Sequence, residues 1–430
     1  MKALHASDLH YSPGNLVEAD RCFGFAVATA IQQNVSVAII SGDSTDHALE
    51  AHSPALRALA KRIKQLADHC PVFMLQGTFS HEPAGMLKML EMIGAKHPIY
   101  VADKIGMVAL AGGQWEQYDP NRTDLDYQLV ITAIPTVNKA DLALTVGAEN
   151  ASVEMGNHLA ALLSSFGPVN AALRCRGVPT VLVGHGTVDG SMTEHGVPMA
   201  GQDHEFTLGA LFSANTSASM LGHIHKCQQW QRVYDGYMQL AAYAGAPGRF
   251  HYGEDGDKYV LVWDVRAHSA SIDPVVTPSR RLIDIEFDGI PDLDELAKVA
   301  DQCADSYVRV RFNVDEEFAS SVDRQAIKKI LSVAVDVKVE GTVLAIQRQR
   351  CAGISTLSSV NERFSKWCEF SGTPSDGLDE RLAALQTMEP EEIARQFFES
   401  LTHSSTAPST DAPCAPQQAR QRDPEVDVNV

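Results

Sequence analysis

The sequence is short of positive charge. Its 430 residues hold 35 Lys and Arg against 54 Asp and Glu, a formal net charge of -19. That excludes a simple basic nucleic-acid binder, whose affinity would rest on a broad cationic face. It does not exclude an enzyme acting on nucleic acid, because bound metal ions supply positive charge where a phosphate must sit. Also missing is any Cys-x-x-Cys pair among the cysteines at 22, 70, 175, 227, 303, 351, 368 and 414. A zinc ribbon or thioredoxin-type site is therefore not expected. Scattered thiols of this kind fit a reducing compartment, and the expected location is cytoplasmic. The start, MKALHASDLH, has no long apolar stretch of the kind a secretory leader needs. No run approaches the ~18–20 apolar residues of a membrane span, so no membrane role is expected. The chain also lacks an internal repeat.

What is present is a hydrophobic content of 45%, enough for a sizeable core. The length suggests about three domains. Over the first 265 residues or so, short apolar runs alternate with amphipathic ones. Lys2–Ser7, Val35–Ile40, Pro71–Leu75, Leu129–Ile134, Thr180–Val183, Met220–His225 and Tyr259–Val265 are predicted strands. Val17–Gln33 and Ser53–Asp68 carry helical spacing. Strands alternating with helices, then strand-rich sequence, predict a layered α/β or α+β domain.

From Arg281 to about Arg350 the pattern is β-α-β-α-β, too small for a second catalytic domain. Leu357–Glu369 and Pro390–Leu401 are predicted helices on either side of a Gly/Pro/Ser loop. Beyond His403 almost no large apolar residue remains, so no packed core can offset the ordering entropy there. The expected division is 1–278 for the main domain and 281–350 for a small α/β cap. A helical segment follows over 355–402, then a disordered tail over 403–430.

The chemistry sits at the ends of the apolar runs. Asp8 and His10 form Asp-x-His after the first strand, and positions i and i+2 of a strand face the same way. His223 and His225 repeat that spacing in GHIH. Asp43 ends VAIISGD and His185 ends VLVGH, each directly after a Gly. Sites in layered α/β sheets gather outside the carboxyl ends of strands, so these side chains are expected in one crevice. Carboxylate and imidazole without thiolate favour Mn, Fe or Zn over Ca or Mg. Two divalent ions are expected, with Asp43 as the shared ligand. Such a pair binds phosphate oxygens and lowers the pKa of a bridging water, generating hydroxide for attack on phosphorus. The segment GTFSHE, Gly77 to Glu82, adds His81, placed to steady the transition state or protonate a leaving oxygen.

This ordered set resembles the calcineurin-like metallophosphoesterase superfamily over roughly residues 1–265. Its pattern of D-x-H, G-D-x-x-D/H, G-N-H-D/E, G-H and G-H-x-H stands here as DLH, GDSTD, GTFSHE, GHG and GHIH. The resemblance implies a four-layer β-sandwich flanked by helices, with metal ligands Asp8, His10, Asp43, His185, His223 and His225. One departure matters. The family's Asn before the catalytic His is absent, and a segment two residues longer, with Thr78 and Ser80, takes its place. Ser80 directly precedes His81 and is the expected substitute ligand. Within the superfamily, LHASDLH, GHIHK and AAYAGAPGRFHYGEDGDKYVLVWDV are similar to the SbcD-type DNA exonuclease subunit of double-strand-break repair complexes. That implies a Mn(II)-dependent DNA exonuclease and endonuclease, acting in repair or recombination. It also implies a cap touching duplex DNA, a coiled-coil SbcC-type ATPase docked on the helices near 357–401, and a homodimer.

Other residues carry a plainer reading beside the functional one. His5, inside the first strand, is read as packed. Asp46 either positions substrate phosphate or begins a helix. His195, His204 and His251 are read as loop-surface residues. Trp230, Tyr234 and Tyr237 either stack a base or pack a hairpin. Lys226 either meets a phosphate or is simply exposed. Arg309 and Arg311, alternating with Val308 and Val310, either reach DNA or form a solvated strand face. The rival readings of the whole are a generic phosphodiesterase or phosphatase on small substrates, and a weakly catalytic assembly scaffold.

Overall fold

In the second predicted strand the side chains sort strictly by position. Val37 and Ile39 enter one apolar core, while Ala38 and Ile40 enter another. The period of two therefore places both faces of this strand in protein, with helices on one side and a second sheet on the other. The computed structural model describes residues 1–122, 126–136, 148–198, 206–234, 236–345, 351 and 353–403. Residues 1–344 form one compact unit and the chain from 345 onward a second. The tail expected over 403–430 lies, after residue 403, outside the described residues.

The first sheet contains β1 (Lys2–Ala6), β2 (Val37–Ile40), β3 (Val72–Leu75), β4 (Ile99–Ala102), β12 (Tyr259–Val265) and β13 (Ala270–Val276), in the order β13-β12-β1-β2-β3-β4. The second contains β5 (Gly106–Ala111), β6 (Gln114–Gln117), β7 (Tyr127–Ile134), β8 (Thr180–His185), β9 (Ala218–Gly222), β10 (Gln228–Tyr234) and β11 (Tyr237–Tyr243), in the order β10-β11-β9-β8-β7-β5-β6. Their inner faces meet through Val37, Ile39, Phe73, Val108, Ile131, Val183, Met220 and Trp263. The outer face of the first sheet packs on α1 (Leu16–Gln32) and α2 (Pro54–Ala67), through Phe23, Ala26, Leu59 and Ile63. The outer face of the second packs on α3 (Ala148–Cys175) and α4 (Leu208–Ser213), through Leu159, Leu163 and Leu211. The result is the expected α/β layering of helix, sheet, sheet and helix.

Several predictions of local structure need correction. β9 stops at Gly222, so the strand expected over Met220–His225 does not reach the histidines. Helix α3 was not expected at all, since Gly167 and Pro168 sit inside it. Packing of Leu159, Leu163 and Leu173 on the second sheet outweighs their local cost.

Beyond β13 the expected β-α-β-α-β unit forms. β14 (Leu282–Asp288), α5 (Leu293–Val299), β15 (Tyr307–Asp315), α6 (Arg324–Ile330) and β16 (Asp336–Leu344) build a parallel three-stranded sheet in that strand order. Its core is Leu296, Val308, Val310, Ile327 and Leu331. Arg309 and Arg311 lie on the other face, as alternation requires. Arg309 pairs with Asp284 at 2.6 Å, and Arg311 lies 3.6 Å from Glu286 and 3.5 Å from Glu340.

In the second unit, α7 (Val360–Ser371) starts at a capping box of Ser359 and Glu362. The stretch expected as a loop holds a further helix, α8 (Leu378–Thr387), before α9 (Pro390–His403). Trp367, Phe370, Leu385, Phe397 and Phe398 are exposed. No helix among the described residues is long and apolar enough to cross a membrane.

Trp263 is the largest fully buried side chain, at the meeting of the two sheets. Trp263→Ala is expected to cost about 3–5 kcal/mol in urea unfolding, through lost burial and a residual cavity. An unchanged midpoint would contradict the inter-sheet core.

Candidate metal centre

The parallel strands β1, β2 and β3 lie side by side, as do β7, β8 and β9 in the other sheet. Their carboxyl ends therefore open on one edge of the sandwich. Asp8 and His10 follow β1, Asp43 follows β2, and Thr78 and His81 follow β3. His185 ends β8, and His223 and His225 follow β9. Each apolar strand stops where its polar residue begins.

The turns are tight. Asp8, His10, Asp43 and His223 all have positive φ, at 52°, 46°, 49° and 100°. Non-glycine residues rarely adopt that region, and such strain collects at functional sites. Asp8 and His10 thus do not face one way because they alternate along a strand. They do so because loop 8–11 runs beside loop 42–45, with Asp8 N–H donating to the Gly42 carbonyl and His10 N–H to that of Asp43. Glycine is needed where backbone and ring meet. At Gly42, with φ of 103°, a methyl group would overlap the His185 ring. At Gly222 it would overlap Ser7 Oγ and the Ser41 carbonyl.

The side chains gather into linked groups. Asp8, His10 and His225 place ligand atoms within 4.8 Å of one another, as do Asp43, His185 and His223. His10, Asp43 and His81 form a group between them. His223 and His225 thus serve different groups, since His223 lies in the turn directly after β9. His10 Nε2 lies 2.9 Å from His225 Nε2. Asp43 is 2% exposed, and its Oδ2 is 3.2 Å from His185 Nε2 and 2.9 Å from His81 Nδ1. His185 Nδ1–H donates to the Ser41 carbonyl at 2.8 Å, which turns Nε2 toward Asp43. Buried oxygen and nitrogen donors without thiolate, with Asp43 in one group beside His10 and His81 and in another beside His185 and His223, fit a pair of divalent cations.

Ser80 is the site prediction that needs correction. Backbone N–H groups of His81 and Glu82 both close onto the Thr78 carbonyl, and this turn leaves Ser80 exposed. The hydroxyl in the cluster is that of Thr78, 3.1 Å from Asp43 Oδ2 and 3.4 Å from His185 Nε2. Glu82, also unpredicted, is fully buried beneath the turn. It accepts the Gly77 N–H at 2.5 Å and the Ser44 N–H, tying the β3 turn to the β2 turn. Asp46 is half-exposed, 3.4 Å from His10 Nδ1.

The loop before β12 supplies two more residues. Glu254 is fully buried 2.6 Å from His225 Nδ1, and His251, read as a surface residue, lies 3.6 Å from the same carboxylate. The acidic character of GEDGDK was visible in the sequence, but nothing local says which carboxylate turns inward. The remaining residues take the plainer readings. His5 is buried against Ser41 Oγ, and burial pushes its imidazole down to about 3. Trp230 packs on Tyr243, and the Arg174 guanidinium lies over Tyr237. Lys226 and His195 are only partly covered or exposed, and His204 lies outside the described residues.

Electrostatics favour a cation here. Burial penalises the charge of Asp43, yet His185 and His81 outweigh it and hold the carboxyl well below the usual range. Burial likewise opposes a charged His185, and Asp43 outweighs that, lifting the imidazole to about 10. The hydrogen bond to Asp43 raises His81 as well. Burial, then the charge of Asp43, pushes Glu82 up to about 7. A proton on His185 thus balances the buried Asp43 carboxylate.

No protein-family model matches this sequence, and no curated protein does. Among solved structures, a dimetal phosphatase from Danio rerio aligns at 10% identity and a TM-score of 0.36, over 63% of this chain and 98% of its own. A second aligns at 10% identity and a TM-score of 0.32, over 64% and 98%.

Two outcomes follow. A metal ion must displace a proton from His185, so Mn(II) affinity should rise with pH until about 10, with proton release in calorimetry. A flat pH profile would contradict it. Thr78→Asn offers a carbonyl oxygen in place of the hydroxyl and should tighten one ion by about tenfold, or about 1.4 kcal/mol. Ser80→Ala should change neither ion, and a loss there would restore Ser80 as a ligand.

Proposed function

We propose that this chain is a two-metal phosphoesterase and, within that class, a DNA nuclease. The observation that carries the first part is the place of Asp43, whose carboxylate belongs to ligand groups on both sides of it. Asp8, His10 and His225 would hold one ion, and Asp43, His185 and His223 the other, with Asp43 shared. When bound, such ions polarise phosphoryl oxygens and lower the pKa of a coordinated water. His81 contributes a proton-bearing ring at the half-exposed edge of the cluster, held by Asp43 Oδ2 at 2.9 Å. That suits it to steady charge on phosphate or to protonate the leaving oxygen. Thr78 fixes the Asp43 carboxylate from the β3 turn, and Ser41 fixes the ring of His185.

DNA as substrate rests on the motif resemblance to SbcD-type nucleases and on the expected order of main domain, cap and C-terminal helices. Mn(II), an SbcC-type ATPase bound by the segment 355–402, and a homodimer belong to the same proposal. Exposed Trp367, Phe370, Leu385, Phe397 and Phe398 support a partner surface on that segment. One observation favours a small-substrate phosphodiesterase instead. Arg309 and Arg311, the cap residues expected to reach DNA, are held by Asp284, Glu286 and Glu340.

The experiment compares linear duplex DNA with a small aryl phosphodiester, each with Mn(II). The account predicts cleavage of both, lowered about 10²–10⁴-fold in His81→Ala while metal uptake persists. Cleavage of the small diester alone would reject DNA as substrate. No cleavage of either would leave the scaffold reading.

A further inference from the structure

We infer that Glu254, which itself groups with His225 and His251 and lies outside the groups that contain Asp43, is a positioning residue that fixes His225 as a metal ligand. The inference rests on the two-metal reading above. It starts from the two nitrogens of one ring. His225 Nε2 faces the cluster, 2.9 Å from His10 Nε2, while Nδ1 lies 2.6 Å from Glu254 Oε1. Neutral imidazole carries its proton on one nitrogen and a lone pair on the other. A carboxylate only accepts, so it keeps the proton on Nδ1 and leaves the Nε2 lone pair pointing at Asp8 and His10. The arrangement matches the carboxylate–histidine–metal relay, in which the outer carboxylate sets the tautomer and strengthens the inner nitrogen as a donor.

Glu254 is built to stay there. It is fully buried, its Oε2 accepts the Phe250 N–H at 2.7 Å, and Lys258 Nζ lies 3.4 Å from Oε1. Arg249, also buried, donates from Nε to the Glu254 carbonyl at 2.8 Å, so backbone and side chain are both pinned. The contrast with His185 is informative. Its outer nitrogen donates to a neutral backbone carbonyl, that of Ser41. The charged partner of His225 makes the Asp8–His10–His225 group the tighter of the two. The other group has beside it only the Thr78 hydroxyl, 3.1 Å from Asp43 Oδ2 and 3.4 Å from His185 Nε2.

A glutamine at 254 keeps the shape and reverses one role. Its amide oxygen is needed by the Phe250 N–H, so its N–H₂ turns to His225. That favours the tautomer with the proton on Nε2 and removes the ligand lone pair. Glu254→Gln leaves Lys258 buried without its partner, so Glu254→Gln/Lys258→Met is made beside it, with Lys258→Met alone as control. Each full-length protein is titrated with Mn(II) by calorimetry, and its metal-free melting temperature is measured. The expected result is two ions in the wild type and in Lys258→Met. In both Glu254 variants the tighter ion weakens about 10–100-fold while the weaker is unchanged. Two ions with wild-type affinity in the double variant would overturn the positioning role alone. So would a third wild-type ion lost in the variants, since Glu254 would then be a ligand. A wild type that takes up no ion overturns the metal reading and this inference with it.

Discussion

The site depends on one buried carboxylate. Asp43 sits almost out of solvent, in a backbone conformation that only a constrained turn supports, with imidazoles on two sides. A lone carboxylate there would be strongly disfavoured, so positive charge must accompany it. In the free chain the His185 imidazole, lifted to about 10 beside Asp43, supplies that charge, and the geometry suits a metal ion to replace its proton. The net charge of -19 therefore says little about the substrate. What matters is that the acidity at the strand ends is arranged to be neutralised by cations.

The fold delivers this carboxylate through topology. β1, β2 and β3 run parallel in one sheet, and β7, β8 and β9 run parallel in the other. Face-to-face packing through Trp263, Phe73 and Ile39 brings the two sets of carboxyl ends to one edge. Side chains far apart in sequence then meet within hydrogen-bonding range, as His10 does with His225. Glycine at 42 and 222 lets backbone and ring approach closely enough for this to happen.

Much of this was legible in the sequence, because strand ends marked by Asp and His are local signals. Asp8, His10, Asp43, His81, His185, His223 and His225 all lie in the cluster. The distribution among groups was not legible. The i and i+2 rule pairs His223 with His225, yet the chain turns after Gly222 and sends them to different groups. Thr78 rather than Ser80 enters the cluster because the β3 turn closes on the Thr78 carbonyl, and hydrogen bonds of that kind leave no periodic trace. Glu254 was hidden among several carboxylates of one acidic loop. Its inward turn is fixed by Phe250, Arg249 and Lys258, which only the folded chain brings around it. The small α/β unit was readable from its alternation, whereas α8 was concealed by the Gly, Pro and Ser that precede it.

The most direct test of the account is the location of bound metal. Crystals of the full chain grown with Mn(II) should show two anomalous scattering peaks about 3.5–4 Å apart. The Asp43 carboxylate should lie between them, one peak beside His10 and His225 and the other beside His185 and His223. A single peak, or two peaks that do not share Asp43, would contradict it.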